Sequence, residues 1–77
     1  MDQQVIEKFH KACELIVENR DAKALNYCVN YAKHGLVCNS SYEVKSQLPY
    51  VLGNMVYWHG PKAKKVRDLL KSVREVV

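Results

Sequence analysis

Apolar residues return every three or four positions along most of the chain, and charged or amide residues fill the intervening positions. That period matches the turn of an α-helix with one buried face. The first run is Asp2–Arg20. Val5, Phe9, Ala12, Cys13 and Ile16 share a face with Ile6 alongside, and Glu7, Lys11, Glu14 and Glu18 lie opposite. A second helix is expected over Ala22–His34, with Leu25, Cys28, Val29 and Ala32 inward. Asp21 suits its N-cap, since a carboxylate accepts from the free amides of a first turn. Gly35 is expected just past its end at positive φ, with Leu36 making the apolar contact of a Schellman motif.

Val37–Asn39 reads as a connector, and Ser40-Ser41-Tyr42-Glu43 as a capping box opening a third helix. That helix is expected to reach about Trp58, with Val44, Leu48, Val51, Met55 and Trp58 on one face and Leu52 beside them. Pro49 inside it removes an amide and crowds the preceding turn, so a kink or break is expected there. Gly53 weakens the same stretch. His59-Gly60-Pro61 stops one helix and starts another, because proline fits a first helical turn. Pro61–Val76 follows, with Ala63, Val66, Leu69, Leu70, Val73 and Val77 inward. No strand-like alternation interrupts the series. The expected fold is all-α, a compact bundle of four short helices forming one domain over residues 1–77, the third helix kinked or broken near Pro49.

Composition supports an ordered domain: 48% of the 77 residues are apolar and 26% charged. So small a core is marginal, and domains of this size often gain stability from a partner or a second copy. No apolar run approaches the roughly 20 residues of a membrane span. The chain opens on polar residues rather than a secretory leader, so the expected location is cytoplasmic. The three cysteines, Cys13, Cys28 and Cys38, are too few and odd in number for a disulfide framework, which agrees with a reducing compartment.

The charge is unevenly spread. Residues 1–38 hold five bases and five acids, whereas residues 39–77 hold seven and three, which accounts for the net +4. Six of those seven bases fall within Lys62–Arg74. On a helical wheel Lys64, Arg67, Lys71 and Arg74 form one flank over roughly 15 Å. Such a flank reaches about two to four phosphates. It serves equally as a solvated face or a contact for an acidic protein. Asp68 and Glu75, each four residues beyond a lysine, offer it internal ion pairs.

The other concentration is of tyrosine, five in all. On one continuous third helix, Tyr50 and Tyr57 fall on the same side as Glu43, Gln47 and Asn54. Tyrosines among amides suit a protein interface, since the ring offers a large contact area at low entropic cost. The alternative is that other helices cover this flank and the phenols bond inside the bundle. Tyr27, Asn30 and His34 make a second such patch opposite the apolar face of the second helix. Trp58 and His59 are expected at a packing corner.

Catalytic and metal chemistry find little support. His10 and Cys13 share a helix side, but the remaining Cys and His residues lack the tight paired spacing of a zinc site. Cys13 and Cys28 lie on apolar faces, where a thiol behaves as a small hydrophobe. No phosphate-binding glycine loop, serine elbow or carboxylate pair occurs. The expectation is a non-enzyme with no cofactor, no metal and no small-molecule substrate. A helix-turn-helix pivoting on Gly35 fails in register, because Tyr31 falls where a small residue belongs and Asn30 and Ser41 where apolar ones do.

Two stretches, ALNYCVNYAKHGL (Ala24–Leu36) and QLPYVLGNMVYWHGPKAKKVRDLLK (Gln47–Lys71), resemble small helical proteins of bacteriophages and prophages. Those proteins carry a tyrosine-rich middle helix, an aromatic corner and a charged last helix. The resemblance spans about half the chain and transfers no functional residue. It implies a role in binding and redirecting a host protein, such as a defence nuclease or a transcription component, in the host cytoplasm. The expected function is thus a non-catalytic protein-binding module using Glu43, Gln47, Tyr50, Asn54 and Tyr57, with a protein or a second copy as partner. The alternative is nucleic-acid binding through Lys64, Arg67, Lys71 and Arg74, with Tyr57 or Trp58 as a stacking platform.

Overall fold

The computed structural model describes residues 2–77 and contains α1 (Asp2–Glu18), α2 (Cys28–Gly35), α3 (Ser41–Gly53) and α4 (Pro61–Val76). Among the described residues no strand forms. The fold is an all-α bundle with α1 at its centre, packed against α4, α2 and α3, while α3 also meets α2 and α4. Its radius of gyration, 11.0 Å, is what a chain of this length reaches when fully collapsed.

The periodic apolar positions form the core. Phe9, Ala12, Cys13 and Ile16 of α1, Val44 and Val51 of α3, and Ala63, Val66 and Leu70 of α4 are completely enclosed. They meet Cys28 and Ala32 of α2 and Leu25 before it. No polar or charged residue is buried among them. None of these helices is long and apolar enough to cross a membrane.

The segment boundaries differ from expectation in three places, each for a local reason. Residues 22–34 do not form one helix. A single 3₁₀ turn, Lys23–Leu25, precedes α2, and Asp21 caps nothing; Ala22 and Tyr27 hold the two N-cap positions without side-chain bonds. The break lets the completely buried Leu25 reach the core while Cys28, Val29 and Ala32 keep the face of a separate helix.

Gly35 is the last residue of α2 and has negative φ; Gly60 alone among the described residues is positive. The α2 end closes by short turns instead of a Schellman motif, with Leu36 N–H donating to Lys33 O (3.3 Å) and Val37 N–H to His34 O (3.2 Å). Glycine is needed at 35 for space: a Cβ there would lie 2.6 Å from Cys13 Sγ and 2.9 Å from Phe9 Cε2.

The third helix ends at Gly53 rather than near Trp58. It runs through Pro49 unbroken, because the exposed ring faces water and the carbonyl it leaves unpaired belongs to the exposed Lys45. Its start is the expected capping box. Ser40 Oγ accepts from Glu43 N–H at 3.2 Å, and Glu43 Oε1 accepts from Ser40 Oγ–H and Asn39 N–H, both at 3.3 Å. Beyond Gly53 the chain turns, burying Met55 and Trp58, and Gly60 at φ 114° brings Pro61 into the first turn of α4.

Candidate functional site

None of the five tyrosines is in the core. Tyr27 is 77% exposed, Tyr31 37%, Tyr42 78%, Tyr50 54% and Tyr57 81%. The reading in which neighbouring helices cover these phenols is thereby excluded. Three of the rings line one surface where α2 meets α3. Tyr31 and Tyr50 stack with centroids 5.5 Å apart and planes at 14°, an offset face-to-face pair bridging the two helices. Gln47 Nε2 donates to the Tyr31 carbonyl at 3.1 Å, which ties the same two helices a turn earlier.

Beside this pair lies a groove of about 490 Å³ lined by Tyr27, Asn30, Tyr31, His34 and Gln47. The patch expected on the second helix and two residues of the one expected on the third, Gln47 and Tyr50, are therefore one continuous surface. Its walls are aromatic, and its polar groups are two amides and an imidazole. α3 positions its side through Val44, Leu48 and Val51, packed inward. The thiol of Cys28, at the start of α2, donates to the Val51 carbonyl at 3.3 Å and fixes the spacing of the two helices.

The other expected interface residues are placed differently. Glu43 is occupied in the cap of α3. Asn54 turns its amide back onto the Tyr50 carbonyl at 2.6 Å and serves as the C-cap of α3. Tyr57 projects from the connector after α3, so the helical spacing that put it in line with Tyr50 does not apply. Tyr31 is not among the interface residues expected from the sequence. Its signal, a stacked partner nineteen residues away, exists only after the helices pack.

The basic flank is partly consumed by the fold. Arg67 is half-buried, and its Nη2 donates to the carbonyls of Met55 (3.1 Å), Val56 (3.2 Å) and Trp58. This guanidinium holds the irregular connector against α4. Lys64 pairs with Asp68 at 3.3 Å, the single ion pair among the described residues. Lys71 and Arg74 remain exposed and make no side-chain bond among the described residues. Trp58 is buried and offers no face for stacking.

The cysteines are spent on packing. All three are free and buried. Burial first, then the proximity of Cys38 and Cys28, pushes the Cys13 thiol from an ordinary 9.0 to about 12. Burial pushes Cys28 to about 11, and burial with the nearby Glu43 also raises Cys38. Thiols so placed carry almost no thiolate at neutral pH, the form a nucleophile or metal ligand requires. His10 is used structurally, its Nε2 lying 2.8 Å from the Cys38 carbonyl. Among the described residues no group of three or more His, Cys, Asp or Glu side chains converges.

No protein-family model matches the chain, and no curated protein or solved structure matches it either. What the site does has to be read from its own residues.

Proposed function

We infer that the protein is a non-catalytic binding module that docks a protein partner against the aromatic groove between α2 and α3. The observation that carries this is the exposure of all five tyrosines in a chain whose core is filled by aliphatic residues, cysteines, Phe9, Met55 and Trp58. An exposed tyrosine costs the free domain hydrophobic surface, and its usual return is contact area in a complex. The groove adds shape, and Asn30, His34 and Gln47 add donors and acceptors at its rim.

The resemblance to phage proteins gives this reading its biological class. The partner would be a host protein, a defence nuclease or a transcription component, whose activity the module blocks or redirects in the host cytoplasm. The nucleic-acid alternative has less support, since Arg67 and Lys64 are engaged within the fold and Trp58 is covered. It retains Lys71 and Arg74, enough for about two phosphates, and the exposed Tyr57 as a stacking platform.

Measured binding to an isolated partner tests this. Tyr27→Ala and Tyr50→Ala should each weaken the complex by about 1–3 kcal/mol, the range of an aromatic anchor. Tyr57→Ala, outside the groove, should change it little. Equal losses for all three tyrosines, or none, would defeat the groove as the docking surface.

A further inference from the structure

A second groove, with no lining residue in common with the first, lies along the seam of α1 and α4. Lys8, Pro61, Lys64, Lys65, Asp68, Leu69 and Ser72 enclose about 450 Å³, open to solvent. Its lining is mostly apolar, from the exposed Pro61 ring, the half-buried Leu69 and the aliphatic stems of the lysines. Three ammonium groups stand on its rim against one carboxylate, and that carboxylate is already paired with Lys64. The Lys8 Nζ donates to Ser72 Oγ at 3.3 Å, which bridges the two helices across the seam. Pro61 is the first residue of α4, so the positive end of that helix's dipole adds to the rim.

We propose that this seam binds an acidic amphipathic helix of a protein partner, with an apolar side chain against Leu69 and Pro61 and carboxylates on Lys8 and Lys65. The site is separate from the aromatic groove and does not depend on it. Its chemistry selects this occupant over three others. Single-stranded nucleic acid stacks its bases on aromatic rings, and no aromatic residue lines the seam. A membrane-binding face projects apolar side chains outward, whereas Leu69 is recessed. A small anionic amphiphile needs most of its surface enclosed, which an open trough does not provide. A helix laid along α1 and α4 meets a cation from each of them, Lys8 and Lys65.

The test uses the full chain and a fluorescein-labelled peptide that forms a helix with a leucine stripe flanked by glutamates. A copy has every glutamate replaced by glutamine. Anisotropy should show the acidic peptide binding, and the glutamine copy binding at least about tenfold more weakly. Lys65→Glu should cost about fivefold or more, and Lys8→Glu a similar factor, while Tyr27→Ala has no effect. Lys65 is exposed, so its variant is expected to keep the wild-type helical circular dichroism and melting temperature. The proposal is overturned if the acidic peptide does not bind, if the glutamine copy binds equally well, or if Lys65→Glu leaves affinity unchanged. It is also overturned if a single-stranded oligonucleotide or phosphatidylserine vesicles displace the peptide at matched charge concentration.

Discussion

Replacing Gly35 by alanine tests how closely α1 and α2 pack. The new Cβ would stand 2.6 Å from Cys13 Sγ, 2.9 Å from Phe9 Cε2 and 3.2 Å from Phe9 Cζ. Carbon atoms in favourable contact are about 3.5–4.0 Å apart, so the first two contacts are roughly 0.6–1.4 Å too short. Neither neighbour has room to retreat, since Phe9 and Cys13 are both completely enclosed. Overpacking of this kind costs about 1–3 kcal/mol. Alanine at a negative-φ helical position returns at most about 1 kcal/mol in propensity, less at a helix end. The net expectation is a loss of about 1–2 kcal/mol. For a domain of this size that lowers the melting temperature by roughly 4–15 °C.

Gly53 supplies the internal control. It too ends a helix at negative φ, and a Cβ there meets nothing within 4 Å. Gly53→Ala should therefore be neutral or stabilise by up to about 1 kcal/mol. Thermal and urea melts of both variants, followed by circular dichroism, give the comparison. Adding Cys13→Ala to Gly35→Ala removes the nearest clashing atom and should recover part of the loss, a coupling of about 1 kcal/mol in the double-mutant cycle. A Gly35→Ala protein as stable as wild type, or no coupling to Cys13, would refute the α1–α2 packing described above.

Arg67→Lys keeps the charge but not the guanidinium whose terminal Nη2 reaches the carbonyls of the α3–α4 connector, and should destabilise by about 1–2 kcal/mol in urea melts; a phosphate-facing arginine would leave stability unchanged. Ser40→Ala deletes the N-cap of α3 and should cost about 1 kcal/mol, with an unchanged melting temperature speaking against the cap. The raised Cys13 and Cys28 thiols predict a pH dependence. Unfolded thiols ionise near 9.0 while the folded ones hold their protons to about 12 and about 11. The stability they contribute is complete below pH 9 and falls as pH rises through that window, because the unfolded chain then releases protons first. Melting temperatures above pH 9 should accordingly drop less in Cys13→Ala than in wild type, and identical profiles would contradict the assignment.

The core was legible in the sequence because helical period and burial are the same information. Phe9, Leu25, Val44, Val51, Val66 and Leu70 were all placed inward from spacing alone, and all are completely enclosed. The capping box at Ser40–Glu43 was legible because both its bonds are local. Helix ends set by distant packing were not. Gly35 looks like a C-terminal stop in one dimension, and only the approach of Phe9 and Cys13 shows that it is there for space. The same holds for the sites. Tyrosine abundance pointed to a surface, but the Tyr31–Tyr50 stack that unites α2 and α3 joins residues far apart in the chain. Arg67 read as one member of a basic flank, and its three carbonyl partners lie in a connector that the periodicity had assigned to helix. Lys8 came from the neutral half of the chain, so its place beside Lys64 and Lys65 had no signal in the charge pattern.

Site-specific photocrosslinking tests the central claim, that a protein docks on the α2–α3 groove. Benzoylphenylalanine is placed at position 27 in the groove and, in separate proteins, at positions 57 and 71 outside it. Each is expressed in bacterial cells and irradiated. The account predicts one discrete protein adduct from position 27, absent from positions 57 and 71 and abolished when Tyr31 and Tyr50 are both alanine in a chain that still melts cooperatively. An adduct confined to position 71, nucleic acid crosslinked there, or no adduct at position 27 alongside one at 57 would contradict it.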